Sequence, residues 1–325
     1  MSESDGLIYA VRLDGSGGGA SLGWDEIRAA SPQAGGPLWL HLDYSAPRAR
    51  SWLLEESGLD PVVAEALLAD ETRPRAVPGP DGMLVILRGV NLRPGADPED
   101  MVSIRLWIES SRVISLRRYH LMAVEDLKEA IARGAGPAGP GEFLVALCQH
   151  LLARMGGVLE ELDDEVDALE DEVLRAESHE LRPKLAGLRR QAIAMRRFLA
   201  PQREALSHLV SERVAWLEES DRLRLREVAD RTARYVEDLD SARDRAAVTQ
   251  EELNSRLSEG MNQKMYVVAL VAAIFLPLGL LTGLLGINVG GIPGAENRLA
   301  FALVCALLLG LGGLQVWALH RRHWL

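Results

Sequence analysis

Cysteine is scarce in this chain: Cys148 and Cys305 are the only two, they lie far apart, and no Cys-x-x-Cys occurs. A disulfide framework and a Cys-based zinc site are therefore excluded, and the bulk of the chain reads as cytosolic. Positive charge is also in deficit, with 36 Lys and Arg against 47 Asp and Glu and a formal net charge of −11. That balance argues against a nucleic-acid partner and is compatible with a cationic cargo. Met1 to Asp14 lacks a basic flank and an apolar run, so no signal peptide is expected there. The glycine run Gly15-Ser16-Gly17-Gly18-Gly19 lacks the Lys-Ser/Thr of a phosphate loop and reads as a turn. His41 and Asp43 fall two apart on an expected strand, on one face, but no third ligand accompanies them. Nothing here supports an enzyme or a resident cofactor.

Two uncharged stretches stand out against this background. Met265 to Leu285 and Leu299 to Leu319 each run 21 residues without a charge, with Gln315 the most polar residue of the second. Either crosses a hydrocarbon core of roughly 30 Å at a helical rise of about 1.5 Å per residue. The segment 286–298 between them is too short for a domain, so an antiparallel hairpin is expected. From Asn262 onward the chain is +3, which leaves −14 on residues 1–261. Lys264, Arg321 and Arg322 flank the outer ends of the pair against Arg298 in the loop, which predicts both termini in the cytoplasm of a multi-pass inner-membrane protein.

The spans contain no Asp, Glu, His, Lys or Arg, which excludes an intramembrane proton relay and a dehydrated zinc site there. His320 and His323 are one helical turn apart and read as part of a basic interfacial anchor rather than as ligands.

Upstream, Gln202 to Glu259 has neither Gly nor Pro and is rich in Glu, Arg, Ala and Leu, which predicts helix, with a break near Trp216 to Ser220. Phe143–Arg175 and Arg182–Leu199 have helical periodicity. Short β-type runs fill the first part of the chain: Leu7–Leu13, Leu38–Leu42, Met83–Val90, Ser103–Ile108 and Arg112–Arg117, with helices expected at Ala46–Glu56, Pro61–Ala69 and Met122–Arg133. The organisation predicted is an α/β domain over 1–141, a helical hairpin over 142–219, a stalk helix over 220–264, spans at 265–285 and 299–319 joined by an outer loop 286–298, and a tail 320–325. The Gly/Pro stretch Gly134–Gly141 marks the first boundary, as a linker or a turn.

Two helices cannot enclose a water-filled path, so conduction would require several copies in a lipid bilayer. Heptad steps along the first span trace two columns, Met265, Ala272, Gly279, Gly286 and Asn262, Ala269, Leu276, Gly283, small or flexible at most positions. Such a stripe suits a pore lining and equally a packing seam. The first column extends upstream through Asp230, Glu237, Asp244 and Glu251. Repeated about an axis, these carboxylates would form a negative funnel; the plainer reading is a solvated face neutralised at i±3 or i±4. Asp230 and Glu237 have Arg226 and Arg234 at such spacings, whereas Asp244 and Glu251 have no base there. Asn288 offers an amide oxygen at the end of the span, suited to a hydrated ion or to capping the helix. Glu296, the sole acid of the loop, suits an external attractor or a pair with Arg298. Pro277 would bend the span.

The first span ends in Gly286-Ile287-Asn288, and the soluble part contains Trp39-Leu40-His41-Leu42-Asp43-Tyr44, Glu71-Thr72-Arg73-Pro74-Arg75 and Met195-Arg196-Arg197-Phe198-Leu199-Ala200-Pro201-Gln202-Arg203. This combination resembles the CorA-type cation transport family, whose signature is Gly-Met-Asn at the outer end of the first of two spans. With Ile in the middle position the chain is similar to the zinc-transporting ZntB branch. The resemblance implies a homopentamer with a cytosolic funnel, a pore lined by the first span and an outer mouth built from Gly286, Ile287 and Asn288. It further implies zinc as the transported ion, with proton coupling allowed. A magnesium, cobalt or nickel channel on the same architecture, or a non-conducting membrane-anchored metal sensor, are the alternatives.

Overall fold

A computed structural model describes residues 5–29, 35–175, 178–286 and 299–322. The first part of the chain folds as β1 (Leu7–Leu13), β2 (Gly19–Ser21), α1 (Trp24–Ala29), β3 (Leu38–Asp43), α2 (Pro47–Ser51), α3 (Pro61–Leu68), β4 (Arg75–Pro78), β5 (Met83–Gly89), β6 (Val102–Ile108), β7 (Arg112–Arg117) and α4 (Met122–Ala132). A π-helical turn, Trp52–Glu56, continues α2. Four long helices follow: α5 (Pro140–Arg175), α6 (Leu181–Ser211), α7 (Glu219–Leu285) and α8 (Ala300–Arg321).

The seven strands form one sheet in the order β2-β1-β3-β7-β6-β5-β4. Only β3 and β7 run parallel, from Leu38 opposite Arg112 to Asp43 opposite Arg117. Side chains alternate across the sheet because successive Cβ atoms point to opposite faces. On β5, Met83, Val85 and Leu87 join one core with α4 to α7, while Leu84 and Ile86 join the other with α1 to α3. Both faces are covered, so the central strands read as continuous apolar runs.

The five strands and three of the helices expected here appear within a residue or two of their predicted ends. β2, β4 and α1 were not anticipated. The two edge strands have only three and four residues and are largely exposed, so no alternation marks them. The glycine run is the turn joining β1 to β2, held by Asp14 Oδ1, which accepts from Ser16 N at 2.7 Å, Ser16 Oγ at 2.8 Å and Gly18 N at 3.0 Å.

Gly134–Gly141 does not separate two cores. One hydrophobic cluster continues from the sheet through Phe143, Leu147 and Leu151 of α5, Leu206 and Leu209 of α6, and Leu225 and Val228 of α7. The helical hairpin thus belongs to the body of the α/β sheet. The chain divides further along, into Met1–Ala176 with Glu180–Glu251, and Glu177–His179 with Glu252–Leu325. At the start of α5, Gly141 lies against the start of α7; a Cβ there would run into Asp221 Oδ2 and the Trp216 carbonyl.

Candidate ion pathway

Helix α7 is one element of 67 residues and continues through Pro277. In the first unit it buries Leu225, Val228, Thr232, Val236, Leu239, Ala242 and Ala246. Its register is pinned by ion pairs. Arg245 is clamped by Asp163, at 2.8 Å, and by Asp167 and Glu170 of α5, while Arg196 of α6 reaches Asp240 at 2.7 Å. The hydrogen bonds from Arg245 to Glu170 and Asp167 raise its pKa, so this guanidinium stays charged at any physiological pH.

Asp230, Glu237, Asp244 and Glu251 share the opposite, exposed face. Their neutralisation differs from what spacing alone implies. Arg234 turns to Glu227 at 3.7 Å, leaving Asp230 and Glu237 without an ion pair among the described residues. Asp244, expected to be unneutralised, is held by its neighbour in sequence: Arg243 donates to it at 2.8 Å and also reaches Asp240 at 3.0 Å. A long guanidinium stem bridges adjacent positions that helical geometry sets on different faces. Glu251 has no ion pair among the described residues; the nearby Arg256 goes to Glu252 at 2.6 Å.

In the second unit, the end of α7 and α8 are each long and apolar enough to cross a membrane, and none of their apolar windows is buried. Helix α5 also meets that criterion of length and composition, but most of its window is buried in the core. Leu270, Ile274, Leu278 and Leu281 are the half-buried stripe of α7, and a Cβ on Gly312 of α8 would touch Leu278 Cδ1 at 3.8 Å. Asn262, Met265, Ala269, Ala272, Leu276, Gly279, Gly283 and Gly286 are all exposed. At about 100° per residue, the two columns centre roughly 180° around the helix from the stripe that meets α8. The small-residue face is therefore not the seam between the two apolar helices of one chain.

Gly286 N donates to Thr282 O at 2.9 Å and extends the last turn. Ile287, Asn288, Glu296 and Arg298 lie outside the described residues, as does His323. At the far end of α8 the Arg321 guanidinium sits 5.3 Å from the Trp317 ring, a cation–π contact.

The remaining sequence candidates resolve locally. His41 is buried, its Nδ1 2.8 Å from Ser115 Oγ, and burial, aided by the Arg117 and Lys128 charges, pushes its pKa down to about 3. Asp43 caps a turn through Ser45 N at 2.8 Å and does not join His41. Burial pushes the Cys148 thiol up to about 12, so no thiolate forms there. Among the described residues, no group of three or more His, Cys, Asp and Glu is placed to hold a metal ion.

The structure does unite two stretches that are distant in sequence. Arg88 Nη2 donates to Thr72 O at 2.8 Å, its guanidinium lies 4.3 Å from the Phe198 ring, and its backbone N–H reaches Gln202 Oε1 at 2.7 Å. Glu71–Arg75 and Met195–Arg203 thus meet on one arginine. The only advance signal was a charged residue near the end of an apolar strand.

The family model for "CorA-like Mg2+ transporter protein" matches residues 34–321. The chain belongs to the CorA family. The "Divalent cation transporter CmaX" of Pseudomonas aeruginosa is 41% identical over 98% of this chain and 97% of its own. A "Zinc transport protein ZntB" of Yersinia pseudotuberculosis is 36% identical over 98% of this chain and 96% of its own. The solved structure of full-length CmaX superposes with a TM-score of 0.86 at 40% identity, covering 98% of both chains. CorA-family proteins are ion transporters rather than enzymes, and this chain is a divalent-cation transporter of that family. Its α/β unit, long helix and closing apolar helix are the family's architecture.

Proposed function

We propose that this CorA-family chain moves zinc across the inner membrane through the central pore of a homopentamer. The first span of each copy lines the pore, and Gly286, Ile287 and Asn288 form its outer mouth. The observation that carries this reading is the exposed face of the first span, where Met265, Ala269, Ala272, Gly279 and Gly283 are turned away from α8 and left for contact with other copies and with ions. Small residues let helices approach closely around an axis and leave room for a hydrated ion between them.

Zinc is supported by the likeness to ZntB and by the Ile between Gly286 and Asn288. With no ionisable side chain in either span, the ion travels largely hydrated, and proton coupling, where present, uses groups outside the spans. Both termini lie in the cytoplasm, with lipid and four further copies as partners. The exposed acids Asp230, Glu237 and Glu251 supply the negative field on the cytoplasmic side, and Glu296 supplies it outside.

Zinc uptake into liposomes containing the purified protein tests the proposal, with and without an imposed pH gradient, beside Asn288→Ala. Uptake that falls severalfold in the variant supports the pore, and its response to the gradient separates a coupled carrier from a passive channel. Uptake of magnesium, cobalt or nickel without zinc would reassign the cargo. Failure of all four ions would leave a non-conducting sensor.

A further inference from the structure

Arg105 interrupts the apolar run of β6 and is 1% exposed. Its Nη1 donates to Leu67 O at 2.6 Å and its Nη2 to Tyr44 Oη at 2.9 Å, while Nε has no partner among the described residues. Arg88, half-buried on the neighbouring strand β5, is likewise held by neutral acceptors, Met101 O at 2.5 Å and Thr72 O at 2.8 Å, with Nε unpartnered among the described residues. A buried guanidinium normally faces a carboxylate, because neutral acceptors do not replace the lost hydration of a charge. Burial holds both arginines below the ordinary arginine value, and for Arg88 the nearby charges of Arg105 and Arg197 add to the effect.

These two arginines wall an open pocket of about 310 Å³. Arg93 and Arg118 complete its basic lining, stacked on Tyr119 at 4.3 Å and 5.6 Å from the ring centre. Asn91 Oδ1 accepts from Arg93 Nε at 3.1 Å and orients that fork. None of the four arginines forms an ion pair with a described residue. Asp70 and Asp100 also line the pocket, which leaves four cations against two carboxylates.

We propose that this pocket binds a small phosphate-class dianion, either free phosphate or the phosphoryl group of a small metabolite. The α/β unit then carries a ligand site apart from the ion pathway. The surplus of two positive charges matches one such dianion. Several guanidinium groups lining one space suit a tetrahedral oxyanion with several acceptor oxygens. The pocket accommodates a phosphoryl group with a short carbon body attached.

Calorimetric titration of the detergent-solubilised full chain, free of divalent metal, tests this. Inorganic phosphate, glycerol phosphate and chloride are compared at equal ionic strength, with wild type and Arg93→Gln/Arg118→Gln. The wild type should bind at least one phosphate compound saturably and show no saturable binding of chloride. The same compound should raise its melting temperature. The double variant, which removes two charge-assisted partners, should bind roughly tenfold more weakly or worse. Tighter binding of glycerol phosphate assigns a metabolite, and equal binding assigns free phosphate. The proposal is overturned if the wild type neither binds nor is stabilised by either compound, or if the variant binds as well as the wild type. It is also overturned if the variant loses its oligomeric state while the wild type binds no anion, since the arginines would then serve a second copy.

Discussion

Glu251 is the sharpest test of the acidic face, because it is exposed and has no ion pair among the described residues. Glu251→Gln removes one negative charge per chain, five in the proposed pentamer. A unit charge acts on a divalent ion ~10 Å away with about 0.8 kcal/mol in water. At physiological ionic strength, with a screening length of about 8 Å, roughly a third of that survives. Five copies then contribute about 1.2 kcal/mol, which is roughly an eightfold change in local ion concentration. At low salt the sum exceeds 2 kcal/mol and the change is at least several tens of fold.

Initial zinc uptake into liposomes, measured well below half-saturation, should fall by about these factors and recover at saturating zinc. Arg243→Gln/Asp244→Asn is the control, since it removes a bonded pair and leaves the net charge unchanged. Its uptake should stay within about twofold of wild type. Unchanged uptake by Glu251→Gln at low zinc and low salt would refute a role for this carboxylate in concentrating the ion, as would a loss that does not shrink when salt is added.

Two further predictions concern the folded body. Gly141→Ala drives a methyl into Asp221 Oδ2 and the Trp216 carbonyl, so it should destabilise by about 1–3 kcal/mol and lower the melting temperature; an unchanged melting curve would contradict the close approach of α5 to α7. His41 has a folded value of about 3 against an ordinary 6.5, so between those pH values the unfolded chain binds the extra proton and stability rises with pH. Stability should therefore fall on acidification from pH 6.5 toward 3, and the melting temperature of His41→Asn should vary less steeply over that window than that of wild type.

Much of the architecture was legible in the chain because it rests on local quantities. The two uncharged runs, the gap-free helix and the alternating strands are readable one segment at a time. The heptad acids and the small-residue columns were equally readable, and the structure leaves both exposed on α7. The edge strands β2 and β4 were invisible because three or four exposed residues have no periodicity to read. Asp244 was misjudged because a spacing rule for helix faces omits a flexible arginine one position away. Gly134–Gly141 reads equally as a linker or a turn because the two have the same composition, and one hydrophobic cluster runs across it.

The sequence by itself determined the family, the two apolar helices, the division of charge and which residues of α7 share a face. Each of these depends on residue type and spacing within one element. Tertiary structure alone decided that the columns of the first span face away from α8, that both faces of the sheet are covered, and that Arg88 and Arg105 wall one pocket. Those outcomes depend on partners distant along the chain, 38 residues from Arg105 to Leu67 and 114 from Arg88 to Gln202. No local pattern records such a meeting, because it is the burial of the whole core that brings the two ends together.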